Sequence, residues 1–289
     1  MSTISEIDVI LLTKNSVYPC LRDCLLSVKK EVPVKRLIVV DGCSSDETID
    51  LCKSIFPDCE IILDLKGNRA TSRQIGIENV KTEWFVFLDS DIILNYGWFK
   101  NISSHASNRK IGAIEGSFNL RYTEHHLDDF YSAMKKMRKI LGFLDLPSKI
   151  ERAFTGDTLI RTEVIKGISI PNFLHVYEDQ YIKSWIEKKG YIWLKAPKAL
   201  CIHCRGAQNP NPIAAYSDSY FAFAMGYRSF TQSLFATLIL IPKLLLALAI
   251  KPNFKMALWQ SKFGLYSFIG VSKAKLNKKC LESFKRGIM

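Results

Sequence analysis

Short apolar runs alternate with amphipathic stretches along the first third of the chain. Four continuous runs have the length of strands, and apolar residues between them recur at helical spacing. This alternation is typical of βαβ units, and strands without a polar face are typical of a sheet covered on both sides. The pattern predicts an α/β fold with a mostly parallel sheet flanked by helices. The predicted strands are Ile7–Leu12, Leu37–Val40, Cys59–Leu63 and Trp84–Leu88, and the predicted helices are a segment with Leu21, Leu25 and Val28, then Asp46–Ile55 and Arg69–Val80.

The pattern loosens after residue 91 but still indicates segments that extend the sheet and cover one face. A Gln-Asn-Pro-Asn-Pro run at residues 208–212 breaks regular structure and is the best candidate boundary. We therefore expect a domain of residues 1–211 and an extension of residues 212–289. The later predicted strands are Ile111–Leu120, Phe154–Arg161, Tyr191–Leu194 and Ala199–His203, and the later predicted helices are Leu127–Leu141 and Asp179–Lys189.

The extension is both apolar and basic. Leu234–Ile250 is short for a membrane span and is interrupted by Pro242 and Lys243, and a second apolar stretch follows at Met256–Val271. Residues 198–289 carry a net charge of +11, out of +12 for the whole chain. Apolar helices with aromatic and basic residues are typical of elements in a membrane interface, so we expect a membrane-associating helical extension that binds an anionic surface. A helical pair packed on the domain and a shallow re-entrant hairpin are the alternatives.

The composition is that of an ordinary globular protein, with 289 residues, 48% of them apolar and 24% charged. This excludes collagen, low-complexity polymers and disorder over most of the chain, and the confinement of the basic charge argues against a nucleic-acid-binding domain. No secretory signal is apparent, so we expect a cytoplasmic protein, peripheral at the inner face of the cell membrane, with eight reduced cysteines. Cys201 and Cys204 flank a histidine, but a structural zinc site needs four ligands, so strand cysteines are favoured.

Polar residues follow three of the predicted strands, at the ends where parallel sheets bind their ligands. They lie at residues 13–15, 41–46 and 89–91. Two carboxylates directly after a buried strand favour a divalent cation, and Mg²⁺ or Mn²⁺ can bridge such oxygens to substrate phosphates. Arg69 and Arg73 are candidate donors to phosphate oxygens. The glycine-rich fingerprints of dinucleotide sites and P-loops are absent, so a nucleotide would be held without them.

Six stretches resemble, in order and spacing, the family 2 glycosyltransferases, which have the GT-A fold and use nucleotide-sugars. They lie between residues 7 and 203, and the C-terminal extension is outside the resemblance. Each stretch is weak alone, but the ordered set is specific. The stretches are DVILLTKN at 8–15, VVDGCSSDET at 39–48, GNRATSRQIGI at 67–77, WFVFLDSDIIL at 84–94, FTGDTLIRTEVI at 154–165 and VYEDQYIKSWIEKKGYIW at 176–193.

The resemblance implies how the nucleotide is held. Thr13 and Asn15 match the nucleotide-contacting first loop, and Asp41 matches the acid that contacts the nucleobase. Gly42 stands where many members have a second Asp, so recognition of the base is expected to differ. Arg73 matches the arginine of the usual A-R-N-x-G segment, although Gln74 replaces its asparagine.

The resemblance also implies the catalytic residues. Asp89, Ser90 and Asp91 match the D-x-D motif for metal and diphosphate, which implies Mn²⁺ or Mg²⁺. His203 matches a further metal contact of some members, although a lone histidine on a strand is more often structural. The remaining matches are Gly156 and Asp157, in the segment that meets donor sugar or acceptor, and the pair Glu178 and Asp179, whose Asp is the general base of inverting members and which is otherwise a helix N-cap pair.

These roles predict an inverting, metal-dependent glycosyltransferase of glycan or cell-envelope biosynthesis. It would move a sugar from a UDP-, GDP- or dTDP-linked donor to a hydroxyl of a saccharide acceptor, expected to be lipid-linked, with Asp179 taking the hydroxyl proton. Three alternatives stay open. They are transfer to a polyprenyl phosphate, which needs no base, a sugar-1-phosphate nucleotidyltransferase, and a non-catalytic basic module that binds anionic lipid or nucleic acid.

Overall fold

A computed structural model describes residues 4–122, 152–174, 176–205, 212–240, 245 and 254–277. The chain divides into two compact units, and the described part of the first comprises residues 4–122 and 153–205, while that of the second comprises Arg152 and the residues from 212 onward. The division into 1–211 and 212–289 stays a prediction. Outside the described residues lie the predicted helix Leu127–Leu141 with its basic run at 135–139, residues 208–211 of the predicted linker, and most of the second half of Leu234–Ile250.

The first unit is built on one eight-stranded sheet. Its strands are β1 (Ile7–Thr13), β2 (Val34–Asp41), β3 (Glu60–Leu63), β4 (Trp84–Asp89), β5 (Ile92–Leu94), β6 (Ile111–Tyr122), β7 (Asp157–Arg161) and β8 (Ile192–Arg205). They lie in the order β3-β2-β1-β4-β7-β6-β8-β5. The neighbouring strands β3, β2, β1 and β4 are parallel to one another, and β6 is parallel to β8. Strand β7 is antiparallel to both of its neighbours, β4 and β6, and β5 is antiparallel to β8. The predicted mostly parallel sheet is confirmed.

Six α-helices flank this sheet in the described part of the first unit. They are α1 (Arg22–Glu31), α2 (Thr48–Ile55), α3 (Arg69–Asn79), α4 (Trp98–Ser103), α5 (Thr162–Ile165) and α6 (Glu178–Lys188). The predicted apolar face of α1 is buried at Leu25 and Val28. Helix α2 begins two residues later than predicted, because the Asp46 side chain accepts from the backbone N–H of Thr48 and so stands outside the helix.

The core lies around the central strands, whose apolar runs are buried on both faces. Helix α3 packs closely here, because a Cβ at Gly76 would stand 2.5 Å from Cγ2 of Ile10. Two predicted strands after residue 190 are one strand, β8, since its pairing with β6 continues through a register shift between Glu115 and Ser117. Strand β5 was not predicted from the sequence. Trp84, Trp98 and Trp193 are buried.

The second unit is helical in its described part. Its helices are α7 (Pro212–Ala224), α8 (Phe230–Leu238) and α9 (Phe254–Leu276). Helix α9 packs directly on the backbone of α7, because a Cβ at Gly270 would lie 2.4 Å from the carbonyl oxygen of Tyr216. The Arg228 guanidinium donates to the hydroxyls of Ser219 and Ser267, which joins the same two helices. Within the described ranges, no helix combines the length and apolar character that crossing a bilayer requires.

Candidate active site

The polar ends of β1, β2 and β4 lie side by side at one edge of the sheet. Thr13 is the register partner of Asp41, and Leu12 is the partner of Asp89. Asp41 and Asp89 therefore stand on the two sides of β1, next to the end of that strand. The expectation that these strand ends share one edge is confirmed.

Asp41 is fully buried, and hydrogen bonds occupy both of its carboxylate oxygens. Oδ2 accepts from the hydroxyls of Thr13 and Ser44, each at 2.6 Å, and Oδ1 accepts from the backbone N–H of Ser44 at 2.7 Å. The expected contact of Asp41 with a nucleobase stays a prediction, and Oδ1 keeps one further acceptor position. In this arrangement Asp41 shapes the loop that follows β2.

The side chain of Lys14 lies across two glycines next to Asp41. A Cβ at Gly42 would stand 3.1 Å from Cδ of Lys14, and a Cβ at Gly67 would stand 2.8 Å from its Nζ. The backbone of Gly67 has φ +57°, a conformation that favours glycine. The positively charged side chain of Lys14 therefore lies beside position 42, where many members of the resembled family carry a second acid. The sequence identified the missing acid at Gly42 and placed Lys14 among the polar residues of this edge, but gave Lys14 no role.

Asn15 and Ser90 connect the loops along this edge. The Asn15 Oδ1 accepts from the backbone N–H of Ser45 at 2.8 Å, and the backbone N–H of Asn15 donates to Ser44 Oγ at 2.7 Å. The Ser90 hydroxyl donates to the Ser16 hydroxyl at 3.0 Å. Both residues lie at the edge, as expected, and both hold the loop after β1 in place.

Three residues other than glycine have a left-handed backbone in the described part of the chain, and all three lie in loops that carry expected site residues. They are Asn15 with φ 48°, Cys43 with φ 61° and Tyr177 with φ 72°. This conformation is uncommon for bulky side chains and costs roughly 1–2 kcal/mol. Such strain clusters at functional sites, where the surrounding structure maintains it.

Arg73 joins the acid at the end of β4 to the acidic pair at the start of α6. Its side chain is 3% exposed, and it donates from Nη2 to Asp89 Oδ1 at 3.2 Å and from Nε to Glu178 Oε1 at 3.4 Å. Burial opposes its charge, but Asp89, Glu178 and Asp179 outweigh burial and raise the pKa of Arg73. Its Nη1 is buried and has no hydrogen-bond partner among the described residues.

The two arginines expected to meet phosphate differ in their surroundings. Arg69 is exposed at the first position of α3, whereas Arg73 is enclosed by carboxylates. Two of the five N–H groups of Arg73 are donated to carboxylates, and Nη1 has no partner among the described residues.

Asp91 and His203 form a hydrogen-bonded pair between two residues expected to bind the metal. The Asp91 Oδ2 and His203 Nε2 atoms are 3.1 Å apart, and the backbone N–H of Cys204 donates to the Asp91 carbonyl at 2.8 Å. A carboxylate oxygen and an imidazole nitrogen are both ligand types that divalent cations bind in proteins. In the described residues, no group of three or more His, Cys, Asp or Glu side chains surrounds a metal position. Two protein ligands suffice for a cation completed by substrate phosphates and water.

The expected catalytic pair begins helix α6. Glu178 and Asp179 are both buried, and the Asp179 Oδ1 accepts from the backbone N–H of Gln180 at 2.7 Å. This contact is of the kind expected for a carboxylate at a helix start, and the proximity of Asp179 to Arg73 is an additional electrostatic interaction. The pair is therefore joined to the Asp89 region through Arg73.

Gly156 and Asp157 differ from each other in their surroundings. A Cβ at Gly156 would stand 2.8 Å from Oδ2 of Asp89, so this glycine lies directly against the acidic motif. Asp157 is fully buried, and the Cys201 thiol donates to its Oδ2 at 3.3 Å. Burial raises the pKa of Asp157 to about 8. The side chain of Asp157 is therefore enclosed by the core, and the expected contact of its segment with donor sugar or acceptor stays a prediction.

Gln74 holds the segment before α6 against helix α3. Its amide donates to the Ile168 carbonyl at 3.2 Å and accepts from the Ile170 N–H at 3.0 Å. The Tyr181 hydroxyl donates to the Ser169 carbonyl at 3.0 Å, from the other side of the segment. Sequence reasoning noted Gln74 as a departure from the A-R-N-x-G pattern without finding this contact.

Two phenylalanines beside His203 were also missed. The ring centroids of Phe118 and Phe154 lie 5.3 and 5.5 Å from that of His203. The sequence places Phe118 inside a predicted strand, which gives no signal for a site residue.

Comparison with known proteins gives one family. The profile described as Glycosyl transferase family 2 matches residues 8–168, more than half of the chain. The SPbeta prophage-derived glycosyltransferase SunS of Bacillus subtilis (strain 168) and the glycosyltransferase SunS of Bacillus phage SPbeta are each 28% identical over 134 residues. Those residues are 45% of this chain and 30% of each relative, so the chain spans less than a third of the relatives it matches.

Solved structures share the fold. The mannosyltransferase PcManGT from Pyrobaculum calidifontis, in complex with GDP-Man and Mn²⁺, has a TM-score of 0.60 at 15% identity, covering 94% of this chain and 87% of that one. Glucosyl-3-phosphoglycerate synthase from Mycobacterium tuberculosis, in complex with Mn²⁺, UDP and phosphoglyceric acid, has a TM-score of 0.52 at 14% identity, covering 75% and 76%. At these identities the likeness concerns architecture, and the expected GT-A type of α/β fold is confirmed.

Proposed function

This chain belongs to glycosyl transferase family 2, and from that premise we propose that it is an inverting, metal-dependent glycosyltransferase acting on a hydroxyl of a saccharide acceptor. The observation that carries the proposal is the buried Arg73, which links Asp89 to Glu178 and thereby to Asp179. The Arg73 guanidinium therefore has the acidic end of β4 as one partner and, as the other, the helix start that carries the expected general base. A lipid-linked acceptor is part of the proposal, and its support is the apolar and basic C-terminal unit.

The proposed donor is a UDP-, GDP- or dTDP-linked sugar. Its support comes from the fold relatives, whose solved complexes contain GDP-Man or UDP together with Mn²⁺. The unpartnered Nη1 of Arg73 is a suitable donor to an anionic oxygen, because a guanidinium forms strong, charge-assisted hydrogen bonds. Lys14 and the exposed Arg69 add positive charge around the same edge.

Asp91 and His203 would hold Mn²⁺ or Mg²⁺, with Asp89 beside them. When bound, such a cation supplies Lewis-acid neutralisation of the charge that develops on the diphosphate leaving group. The chain itself fixes the position of these ligands, because Ile92 pairs with His203 between β5 and β8. Loss of that pairing would separate the two side chains.

Asp179 would act as the general base. Its carboxylate takes the proton of the acceptor hydroxyl as the acceptor oxygen bonds to the anomeric carbon. The bond from that carbon to the diphosphate oxygen breaks, and its electron pair leaves with the nucleoside diphosphate. Attack from the face opposite the leaving group inverts the anomeric centre.

The experiment is a screen of the full chain against UDP-glucose, GDP-mannose and dTDP-glucose with Mn²⁺. A donor bound by the folded state raises the unfolding temperature, and transfer to saccharide acceptors is then followed by mass spectrometry. We expect Asp91→Asn and Asp179→Asn to abolish transfer, and Asp58→Asn, an exposed control, to retain it. Full transfer by Asp179→Asn favours a phosphate acceptor instead, and full transfer by both site variants contradicts the assigned roles.

We also propose that the protein is cytoplasmic and associates peripherally with the inner face of the membrane through its second unit. Helix α9 exposes apolar side chains, and residues 254–277 contain lysines and no acid. This combination favours adsorption to an anionic interface. The exposed apolar residues of α8 and α9 include Leu234, Phe235, Leu238, Leu258, Leu265, Ile269 and Leu276, and the exposed lysines include Lys262, Lys273 and Lys275.

Sedimentation with vesicles tests this association. We expect the full chain to bind vesicles of phosphatidylcholine with phosphatidylglycerol more tightly than vesicles of phosphatidylcholine alone. Reversing Lys262 and Lys273 to Glu removes two cations near the surface, so binding weakens by about tenfold or more. Lys100→Glu, an exposed reversal in the first unit, is the control. Equal binding to both vesicle types contradicts the proposal.

A further inference from the structure

Two phenylalanine rings and an imidazole form a continuous aromatic cluster beside Asp91, in which the imidazole is that of His203. The rings of Phe118 and Phe154 are 4.9 Å apart, and each lies within 5.5 Å of the His203 ring. The Phe154 ring is stacked on His203 with an interplanar angle of 28°. His203 in turn contacts Asp91, so the cluster begins at the expected cation position.

The backbone is adapted to bring Phe154 to this place. A Cβ at Gly156 would stand 2.4 Å from Cζ of Phe154 and 2.8 Å from Oδ2 of Asp89. The ring edge and the carboxylate thus share the space that a side chain at position 156 would fill. The aromatic cluster is therefore adjacent to both acids of the D-x-D motif.

Phe118 is the member of the cluster that faces solvent. Its side chain is 39% exposed, although it lies in a strand, β6, whose earlier residues are buried. The exposed part of this ring is apolar surface beside the Asp91 and His203 pair. An exposed aromatic face next to a few fixed polar groups is the usual composition of a small-molecule site.

We propose that Phe118 and Phe154 form an aromatic platform for the C–H face of a pyranose ring. A pyranose presents apolar C–H groups on one face and hydroxyls around its rim, which matches an aromatic surface bordered by carboxylates. The inference rests on the proposed function, because it requires that a sugar reacts at the cation. The same chemistry belongs to two molecules, the transferred sugar of the donor and the acceptor saccharide.

The experiment compares ligands that differ only in the sugar. UDP and UDP-glucose, and GDP and GDP-mannose, are titrated calorimetrically into the full chain with Mn²⁺. Binding of methyl α-D-glucopyranoside is measured by saturation-transfer NMR. For this measurement the protein is loaded with Mg²⁺ and with UDP or GDP, whichever binds in the calorimetric titration. The variants are Phe118→Leu, which keeps apolar volume without the ring, Phe118→Trp, which keeps the aromatic face, and Tyr96→Leu, an aromatic control that is 91% exposed.

We expect Phe118→Leu to weaken one sugar contact by about two- to tenfold, the usual contribution of an aromatic face. Binding of the bare nucleoside diphosphate stays unchanged, Phe118→Trp retains the sugar contact, and Tyr96→Leu has no effect. A loss confined to the nucleotide-sugars assigns the platform to the donor, and a loss confined to the glucoside assigns it to the acceptor. Unchanged sugar contacts with intact nucleotide binding overturn the platform alone. Absence of nucleotide binding in the wild-type chain overturns the proposed function, and the platform with it.

Discussion

Removal of the Arg73 side chain tests whether the site depends on a buried charge network. The guanidinium is 3% exposed, and its two partners differ, since Glu178 is 4% exposed and Asp89 is 29% exposed. Arg73→Met keeps most of the side-chain volume but leaves the Glu178 carboxylate buried without its cation. Breaking a buried ion pair by removing one partner costs about 3–5 kcal/mol of unfolding free energy.

Thermal unfolding of the metal-free protein at pH 7 measures this loss. At roughly 2–4 °C per kcal/mol for a domain of this size, we expect Arg73→Met to lower the unfolding temperature by about 6–20 °C. Arg69→Met removes an exposed guanidinium four residues earlier on the same helix, so its expected effect is within about 0.5 kcal/mol. Adding Glu178→Gln to Arg73→Met removes the stranded charge and restores part of the stability, because coupled residues are not additive.

The outcome that refutes this reasoning is specific. If Arg73→Met unfolds at the temperature of Arg69→Met, the guanidinium is not compensating buried carboxylates. If the double variant is as unstable as the sum of the two single variants, Glu178 and Arg73 are not coupled, and the network does not join α3 to α6.

Three further predictions follow from individual contacts. Gly116→Ala places a Cβ 2.1 Å from Oδ2 of Asp157. We therefore expect this substitution to lower the unfolding free energy, measured by denaturant titration, by about 1–3 kcal/mol. Part of that loss should be recovered when the substitution is made in an Asp157→Ala background. Burial raises the pKa of Asp157 from 3.8 to about 8, so the folded state binds this proton more tightly than the unfolded chain. The unfolding free energy therefore falls as pH rises through this interval. Denaturant titrations of the metal-free Asp157→Asn variant should lack this dependence of the unfolding free energy on pH. An unchanged dependence would assign it to other groups. His203→Gln should raise the Mn²⁺ concentration needed for stabilisation by a nucleoside diphosphate about tenfold or more, and an unchanged requirement excludes His203 as a ligand.

The parallel half of the fold was predictable because it depends on local patterns. Continuous apolar runs identified β1, β2, β3 and β4, and helical spacing identified the helices between them. Strand β5 has only three residues and exists because it pairs with β8, more than a hundred residues later. The continuity of β8 likewise depends on β6. Pairing across such sequence distances leaves no periodic signal within either segment.

The sequence predicted where several site residues lie in the sheet, but not which groups surround them. The ends of β2 and β4 identify Asp41 and Asp89 as edge residues, because parallel strands end on one side. The Asp41 carboxylate bonds Ser44, three residues later, but also Thr13, which is 28 residues away in sequence. The partners of Arg73 are 16 and 105 residues away. Hydrogen-bond occupancy and burial therefore required the tertiary structure, as did the exposed ring of Phe118.

The position of the proposed general base depends on helix α3 through two adjacent residues. Arg73 bonds Glu178 at the start of α6, and Gln74 bonds the backbone of residues 168 and 170, which lead into that helix. Tyr181 binds the same segment from within α6, so the segment is held from both sides. Arg73 also bonds Asp89. A shift of α3 would therefore disturb the contacts to Asp89 and to Glu178 together, and with them the distance between the acidic motif and Asp179. Glutamine at position 74 reaches this backbone with two hydrogen bonds, which gives the departure from the usual asparagine a structural reason.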